Sequence, residues 1–277
     1  MIKIMFKYGD DLRQDNLVLQ FFRIMDEMWM EKNENMEMVR YKVMETGFQV
    51  GFIEFVDHSE VIAGIHKWRG TYEGPFQKKC IYEFFKQEIY PKHFKDQLTL
   101  ILKKEKDAKL EKMKKIDDSQ TQDNKIKDFE KVLPTEEQIF QALQKTDEVM
   151  HKMMKNYIRS LAGQCVATYL LGIRDRHSGN FMLQKTTSKF FHIDFGHFLD
   201  HCKYKLKFFK RDREPFIYSY ELNYLMVNFP RIFKDFKQDP NQTLPSKVKK
   251  KVLDECNGEV VKEENQGGVG DEENLNE

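Results

Sequence analysis

A short hairpin flanked by polar residues constrains this 277-residue chain more than any other feature of its sequence. Two apolar runs, Phe181-Met-Leu-Gln and Lys189-Phe-Phe-His-Ile193, flank Lys185-Thr-Thr-Ser188, a pattern that predicts a β-hairpin. The first strand begins at Asn180 and the second ends at Asp194. Because antiparallel strands lie about 4.8 Å apart, we expect these two oxygen-bearing side chains side by side. Mg²⁺ prefers oxygen ligands and usually takes one or two carboxylates with substrate phosphates, so Asn180 and Asp194 are a predicted magnesium site.

The surroundings of the hairpin add a catalytic pattern. Asp175 lies five residues before Asn180 on the preceding loop, and Asp194-Phe195-Gly196 follows the hairpin. This combination matches the catalytic layout of kinases, in which the loop Asp orients or deprotonates the attacking hydroxyl and the other two residues hold metal. A polar hairpin with incidental carboxylates is the alternative, and the complete combination favours the kinase.

Three further motifs are more specific. Asp175-Arg176-His177, His192-Ile-Asp-Phe-Gly-His197 and Lys7-Tyr-Gly-Asp-Asp-Leu-Arg-Gln-Asp15 together resemble the phosphoinositide 3-/4-kinase family, above all the class I phosphoinositide 3-kinase catalytic domain. The resemblance implies an α+β, protein-kinase-like two-lobed fold, with an incomplete N-lobe sheet and a mostly helical C-lobe. Its matching blocks, in the family's order, are Ile4–Trp29, Gly51–Val56, Gly163–Asn180 and His192–Phe216.

The resemblance also implies roles for single residues, with ATP and Mg²⁺ as the cofactors. It assigns Lys7 to the ATP phosphates, Asp15 and Tyr41 to the depth of the nucleotide pocket, and Glu54 and Val56 to the hinge that binds adenine. It assigns catalytic roles to Asp175, His177 and His197, and the metal site to Asn180 and Asp194. His197 corresponds to a histidine near the transferred phosphate, and His is a suitable proton shuttle near neutral pH. His192 we interpret as structural.

A basic segment follows His197 and points to the substrate. In an extended chain Lys203, Lys205 and Lys207 would share one face, with aromatic and apolar residues opposite. The segment resembles the activation loop of class I phosphoinositide 3-kinases, although it is one residue longer than the usual version. The resemblance implies that its six basic residues bind the phosphates of phosphatidylinositol 4,5-bisphosphate: Lys203, Lys205, Lys207, Lys210, Arg211 and Arg213.

Hydrophobic patterning predicts the remaining elements. We expect a strand over Ile2–Lys7 and a helix over Leu12–Met30, started by Asp10 or Asp11, with Leu17, Phe21, Met25 and Met28/Trp29 facing the core. Strands follow between Val39 and Val56. Helical patterns span Cys80–Tyr90, Glu136–Leu171 and Glu221–Val227.

The predicted domains follow from these elements and from composition. They are a partial N-lobe and hinge at 1–56, the start of the C-lobe at 57–101, a charged insertion at 102–133, a C-lobe with catalytic and activation loops at 134–238, and a disordered polar tail at 239–277. Because Lys, Glu, Asp and Gln dominate the insertion, it is either a solvated helix or, as we favour, disordered.

Composition bears on the cellular compartment of the protein and on the classes of partner it could bind. The four cysteines are widely separated, which argues against a zinc site and favours a reducing compartment. No window approaches the roughly 20 apolar residues of a membrane span. A net charge of +1 gives no overall attraction to nucleic acid. We therefore expect a cytoplasmic protein with no nucleic acid partner. The family resemblance implies that it is peripheral to membrane, with phosphoinositide lipid at an anionic surface and a possible regulatory subunit as partners.

The leading hypothesis is an ATP-dependent phosphatidylinositol 3-kinase that phosphorylates the inositol 3-hydroxyl, and two alternatives stay open. One is a phosphoinositide-kinase-like protein kinase, and the other is a truncated, inactive kinase fragment that binds partners or anionic membrane. The second rests on departures from the family: only six residues precede Lys7, and the chain turns polar after Val227. In addition, Arg174 stands where the family usually has Gly, and a positive φ there would be costly for Arg.

Overall fold

A computed structural model describes residues 3–70, 74–114, 134–199, 204–205, 209–210 and 218–238. It is a mixed helix and sheet structure, as the sequence predicts. None of the helices in the described ranges is long and apolar enough to cross a membrane. The chain divides into two compact units, one within Met1–Lys86 and Met150–Pro230 and the other within Gln87–Val149 and Arg231–Glu277. The predicted domain boundaries stay a prediction.

The first unit begins with a three-stranded antiparallel sheet and one long helix. Strand β1 (Ile4–Tyr8) pairs with β3 (Val50–Glu54), and β3 also pairs with β2 (Val43–Gly47). Helix α1 (Arg13–Glu31) connects β1 to this hairpin. Asp11 accepts a hydrogen bond from the first N–H of α1, that of Arg13, at 3.1 Å, which supports the helix start as the sequence predicts.

A second sheet carries the predicted hairpin. Strands β5 (Phe181–Gln184) and β6 (Phe190–His192) pair with each other, and β4 (Ser59–Val61) adds to the outer edge of β5. The hairpin is therefore confirmed with its predicted turn. Ser188 closes that turn with a left-handed φ of 59° and donates its N–H to the carbonyl of Gln184 at 2.7 Å.

Helices surround these sheets in the first unit. They are α2 (Ile62–Arg69), which the sequence patterns missed, α3 (Cys80–Phe84), and the second part of the long helix α5 (Glu136–Leu170). The last helix, α6 (Tyr220–Gln238), is much longer than the predicted Glu221–Val227 and continues through Pro230. The Tyr157 hydroxyl of α5 donates to the carbonyl of Leu222 in α6 at 3.1 Å, and both residues are buried.

The second unit contains α4 (Tyr90–Lys114), which follows a π-helical turn at Phe85–Ile89, and the first part of α5. Residues 102–114 continue α4, so in this part of the predicted insertion the structure has a helix rather than the favoured disorder. Residues 115–133 and the tail 239–277 lie outside the described residues. The Tyr90 hydroxyl donates to Asp147 at 3.1 Å. Thr135 and Gln138 exchange hydrogen bonds between side chain and main chain, a capping box that starts α5.

The core of the first unit lies between α1, the end of α5 and the hairpin. Its buried members include Phe22 of α1, Leu171 after α5, Phe191 of β6 and Phe195 beyond the hairpin. The rings of Phe22 and Phe195 meet edge to face with centroids 5.3 Å apart. The segment that carries the predicted metal ligand is therefore anchored in the same core as α1.

The predicted core face of α1 is confirmed at Met25 and Trp29, which pack against the core, and is wrong at Leu17, Phe21 and Met28. Leu17, Phe21 and Met28 are 42%, 37% and 61% exposed, whereas Val18 and Phe22 are buried. The helix has two neighbouring apolar stripes, and periodicity cannot tell which of them meets the core. The stripe with Val18 and Phe22 is selected because it packs against Phe195 and the other core residues.

Adjacent phenylalanines on α1 test this assignment. We expect Phe22→Ala to lower the free energy of unfolding by about 3–5 kcal/mol, because it leaves a cavity in the core. Phe21→Ala is the matched control and should lower it by no more than about 1 kcal/mol. Urea denaturation of the two variants measures the difference, and equal losses would contradict the assigned face.

Candidate active site

The loop with the predicted catalytic residues begins where α5 ends. Gly172 has a left-handed φ of 55°. Its N–H donates to the carbonyl of Tyr169 at 3.1 Å, and the N–H of Ile173 donates to Thr168 at 2.9 Å. These two bonds form the usual glycine-terminated helix end. They stop α5 sharply and direct the chain into residues 173–180.

Asp175 is buried on this loop in a conformation that is rare for residues other than glycine. Its φ is 59°, and such left-handed residues concentrate at functional sites. The side-chain amide of Asn180 donates to the main-chain carbonyl of Asp175 at 2.8 Å, and the N–H of Asn180 donates to His177 at 2.8 Å. Asn180 thus fixes the loop around Asp175.

Arg174 does not need the conformation that glycine would provide. The positive φ belongs to Asp175, and Arg174 is absent from the positive-φ residues of the described ranges. Its N–H donates to the carbonyl of His197 at 2.8 Å, and the N–H of Leu199 donates to Leu171 at 2.9 Å. The expected strain at Arg174 is therefore wrong, and the loop is paired with the segment that follows Gly196.

The two predicted metal ligands lie at the same end of the hairpin, offset by one residue. The N–H of Ile193 donates to the carbonyl of Asn180 at 3.1 Å, so Asp194 follows the residue directly opposite Asn180. Asp194 is exposed and also left-handed, with φ 61°. Since the amide nitrogen of Asn180 is bonded to Asp175, its oxygen is the atom available as a ligand. A carboxylate and an amide oxygen are donors that Mg²⁺ accepts, so these residues fit the predicted metal.

Arg176 is the residue that sequence reasoning missed at the centre of the site. It is buried, and its guanidinium donates to the carbonyls of Arg174 and Ile193, both at 2.8 Å, and to the carbonyl of Asp194. It also lies over the ring of Phe195, 5.6 Å from the centroid. One side chain therefore joins the catalytic loop to the end of the hairpin. Its place in Asp175-Arg176-His177 was the only sequence signal for it.

The main chain of Phe195 is bound by two consecutive residues of α1. The N–H of Phe195 donates to Asp15 Oδ1 at 3.1 Å, and its carbonyl accepts from Gln14 Nε2 at 2.9 Å. Gln14 belongs to the Lys7–Asp15 motif, but the sequence assigned it no role, because its partner is a main-chain atom 181 residues away. Asp15, which the sequence assigned to the nucleotide pocket, has one oxygen committed to this contact.

Charges converge on this region from three elements. Burial raises the pKa of Asp15, and the nearby charge of Asp194 raises it further. The Lys7 ammonium forms an ion pair with Asp10 at 2.7 Å. Partial burial opposes its charge, but the Asp10 contact and the charges of Asp194 and Asp15 raise the pKa of Lys7. Lys7 therefore remains a cation beside both carboxylates.

Tyr41 lies behind this cluster, in the core. Its hydroxyl donates to the carbonyl of His192 at 3.3 Å, and burial raises its pKa. His192 is fully enclosed, with Nδ1 2.8 Å from the side-chain oxygen of Gln164. Because burial lowers its pKa well below the usual value, His192 is neutral and donates from Nδ1. This geometry supports the structural interpretation of His192.

The predicted hinge follows β3. The N–H of Glu54 donates to Lys42 at 2.8 Å, and its side chain accepts from the N–H of Lys42 at 3.0 Å, so both groups are occupied within the sheet. Val56 packs against the core, and within the described part of the chain nothing accepts a hydrogen bond from its N–H. Val56 is therefore the better placed of the two to bind a ligand through its main-chain N–H.

Comparisons with known proteins agree with this geometry. The family model described as "Phosphatidylinositol 3- and 4-kinase" matches residues 1–245. The chain belongs to this family. It is 33% identical over 238 residues to the human phosphatidylinositol 3-kinase C2 domain-containing subunit gamma, covering 85% of this chain and 12% of that protein. It is 34% identical over 226 residues to phosphatidylinositol 3-kinase 1 of Dictyostelium discoideum, covering 81% of this chain and 11% of that protein. The chain thus spans about an eighth of the length of such relatives.

Membership in the phosphatidylinositol 3- and 4-kinase family makes the chain part of a lipid-kinase family. It does not by itself assign roles to the two histidines. His177 is exposed, and its Nδ1 accepts from the N–H of Gly179 at 3.1 Å. His197 is half-buried and is held through its carbonyl by Arg174. Their catalytic roles stay predictions.

The predicted headgroup residues are only partly described. Lys205 belongs to β7 (Tyr204–Lys205) and Lys210 to β8 (Phe209–Lys210), which pair in antiparallel fashion. Lys203, Lys207, Arg211 and Arg213 lie outside the described residues. Their binding of lipid phosphates stays a prediction.

Replacement of Arg176 tests its structural role in this kinase-family site. Arg176→Lys should lower the free energy of unfolding by about 2–4 kcal/mol, because one ammonium cannot reach all three carbonyls and buried acceptors lose their donors. Arg23→Lys is the control, since Arg23 forms an exposed pair with Glu27 on α1 and should change stability by no more than about 0.5 kcal/mol. Similar denaturation midpoints for both variants would contradict the role.

The raised pKa of Asp15 gives a pH dependence. A carboxyl whose pKa is higher in the folded than in the unfolded state destabilises the fold as pH rises from about 3.9 through the folded pKa. Asp15→Asn keeps an oxygen that can accept from Phe195 but removes the charge. We therefore expect its free energy of unfolding, relative to wild type, to increase over that pH interval and then level off. Denaturation curves from pH 4 to pH 8 measure this, and a decrease would contradict it.

Proposed function

We propose that this chain is the catalytic part of a Mg²⁺-dependent phosphatidylinositol 3-kinase that uses ATP to phosphorylate phosphatidylinositol 4,5-bisphosphate at an anionic membrane surface. The observation that carries the proposal is the joint restraint of Asp175, Asn180 and Asp194 by Arg176 and by the loop's own hydrogen bonds. In a chain of this family, that arrangement is what phosphoryl transfer to a hydroxyl requires.

The proposed reaction assigns each atom a destination. The inositol 3-hydroxyl oxygen forms a bond to the γ-phosphorus of ATP, the bond from that phosphorus to the β–γ bridging oxygen breaks, and ADP leaves with the electron pair. The hydroxyl proton passes to the Asp175 carboxylate as general base. His177, on the same loop, and His197, paired to it through Arg174, complete the proposed catalytic group.

Nucleotide binding is proposed for the opposite side of the site. Lys7 contributes a positive charge toward the phosphates, supported by its raised pKa and by its position near Asp15 and Asp194. Asp15 and Tyr41 line the deep end, and the hinge at Glu54 and Val56 contacts adenine through main-chain groups. Mg²⁺, held by Asn180 and Asp194, would neutralise phosphate charge. The proposed N-lobe with its hinge is 1–56, and the proposed C-lobe comprises 57–101 and 134–238, with 102–133 as an insertion.

The lipid assignment depends on the basic segment. Six basic residues between Lys203 and Arg213 are proposed to bind the ring phosphates, at about 1 kcal/mol per residue near an anionic leaflet. We accordingly propose that the working enzyme is cytoplasmic and peripheral to membrane, with a regulatory subunit as a possible partner. One curated relative, from Pongo abelii, carries the name phosphatidylinositol 4-phosphate 3-kinase, so that lipid belongs in the test.

Transfer of labelled γ-phosphate tests the proposal. Vesicles containing phosphatidylinositol, its 4-phosphate or its 4,5-bisphosphate are compared with a basic peptide as acceptors, with the labelled ring position identified by chromatography. We expect labelling at the 3-position, greatest with the bisphosphate, and loss of at least about 100-fold with Asp194→Ala, because a metal ligand that stabilises transferring charge is removed.

Each other outcome has a meaning. Labelling of the peptide alone would favour a protein kinase, and labelling at another ring position would leave a lipid kinase with different specificity. Vesicle binding without transfer, unchanged by Asp194→Ala, would favour a non-catalytic membrane-binding chain and contradict the proposed function.

A further inference from the structure

We propose that Gln14 is a positioning residue, whose side-chain amide holds the peptide group after Phe195 and thereby keeps the Asp194 carboxylate in place for metal. The inference rests on the proposed function, because it takes Asp194 as a metal ligand. It assigns a role to a side chain that neither the kinase motifs nor the nucleotide pocket explain.

Two neighbouring residues at the start of α1 bind the two main-chain groups of one residue. Asp15 accepts from the N–H of Phe195 at 3.1 Å, and Gln14 donates to its carbonyl at 2.9 Å. The Phe195 ring is fully buried against Phe22, two turns further along α1. A single helix therefore fixes Phe195 through its N–H, its carbonyl and its ring.

The restraints divide between two peptide groups. The group that joins Asp194 to Phe195 is held on both sides, by Arg176 at its carbonyl and by Asp15 at its N–H. The next group, between Phe195 and Gly196, is held at its carbonyl by Gln14, and no other described residue donates to that oxygen. Gly196, which follows, is exposed and permits many conformations, so this contact is the last restraint before His197 and Leu199 bond to the catalytic loop.

The backbone conformation of Asp194 explains why the Gln14 contact affects the metal site. A left-handed φ of 61° is a higher-energy conformation for Asp and persists only where its surroundings enforce it. Without the Gln14 bond, Asp15 is the one described contact that holds the Phe195 main chain to α1, so the peptide group that follows Asp194, and with it the Asp194 carboxylate, moves more freely. Gln14 therefore acts on metal binding through the main chain, without touching the metal.

The hydrogen bond to the Phe195 carbonyl requires a side chain at residue 14 that can donate, such as an amide. The carbonyl of Phe195 needs a donor, which Gln supplies and Glu at neutral pH does not. A carboxylate at residue 14 would also stand next to Asp15, whose charge is already disfavoured by burial and by Asp194. Gln14→Glu is nearly isosteric, so it reverses the interaction with little change of shape.

The test measures Mg²⁺ directly rather than through turnover. Binding of a fluorescent, non-hydrolysable ATP analogue is titrated with Mg²⁺ for wild type, Gln14→Ala, Gln14→Glu and Asp194→Asn. Hydrogen exchange is followed in the same proteins for peptides along the chain, both those that contain residues 193–198 and those from α4. Gln20→Glu is the matched control, because Gln20 lies on the exposed side of α1 and donates only to Asn16, at 3.3 Å.

We expect Gln14→Glu to raise the Mg²⁺ concentration at half-saturation about tenfold and Gln14→Ala about threefold, with faster exchange confined to residues 193–198. Binding of the analogue without Mg²⁺ should be unchanged, and Gln20→Glu should resemble wild type. Midpoints and exchange in the Gln14 variants equal to those of Gln20→Glu, with Mg²⁺ dependence lost only in Asp194→Asn, would overturn the inference and leave the proposed function standing.

Two further outcomes would also count against it. Faster exchange throughout, including α4, would mean that Gln14 serves general stability rather than the position of Asp194. An Asp194→Asn variant with the wild-type Mg²⁺ midpoint would remove the metal role of Asp194, and with it both the proposed metal site and the inference.

Discussion

The Arg176 guanidinium is the contact on which the rest of the site depends. A buried cation is unfavourable unless its surroundings compensate it, and burial does lower the pKa of Arg176. Three main-chain carbonyls and the charges of Asp194, Asp175 and Asp15 provide that compensation. The dependence is mutual, because three carboxylates close together would repel one another without a cation among them. The attraction between the Arg176 cation and these carboxylates thus stabilises the catalytic loop, the end of the hairpin and α1 together.

The parts of the site that the sequence predicted are those fixed by local rules. The hairpin follows from two apolar runs around a polar turn, and Asn180 and Asp194 reach the same end because each adjoins one of its strands. The loop follows from α5, which ends at Leu170, two residues before Gly172, because glycine accepts the left-handed conformation that terminates the helix. Such features can be predicted even when the ends of helices and strands are known only to within a few residues. Even so, the offset of one residue between Asn180 and Asp194 appeared only in the structure.

What the sequence did not predict depends on distant contacts. Periodicity gave α1 two apolar stripes, and only packing against Phe195 selects the one with Phe22. Gln14 and Arg176 bind main-chain carbonyls. Because every residue carries such a carbonyl, the residue types in the sequence could not identify these two contacts. Backbone strain was predicted at Arg174, but the left-handed residue is the next one, Asp175. Composition favoured disorder at 102–114, although the charged residues there continue α4.

The attachment of Phe195 to α1 has a consequence for how the site behaves as a whole. Lys7 is the penultimate residue of β1, Asp15 lies in the first turn of α1, and Asp194 is tied to that turn through Phe195. The charges predicted to meet the nucleotide phosphates and the metal are therefore carried by one helix and the segments bonded to it. We expect a displacement of α1 to move Asp15 and Asp194 together, because Phe195 is bonded to the first turn of that helix. Arg176, which bonds both the catalytic loop and Asp194, is the link that keeps those two groups in register.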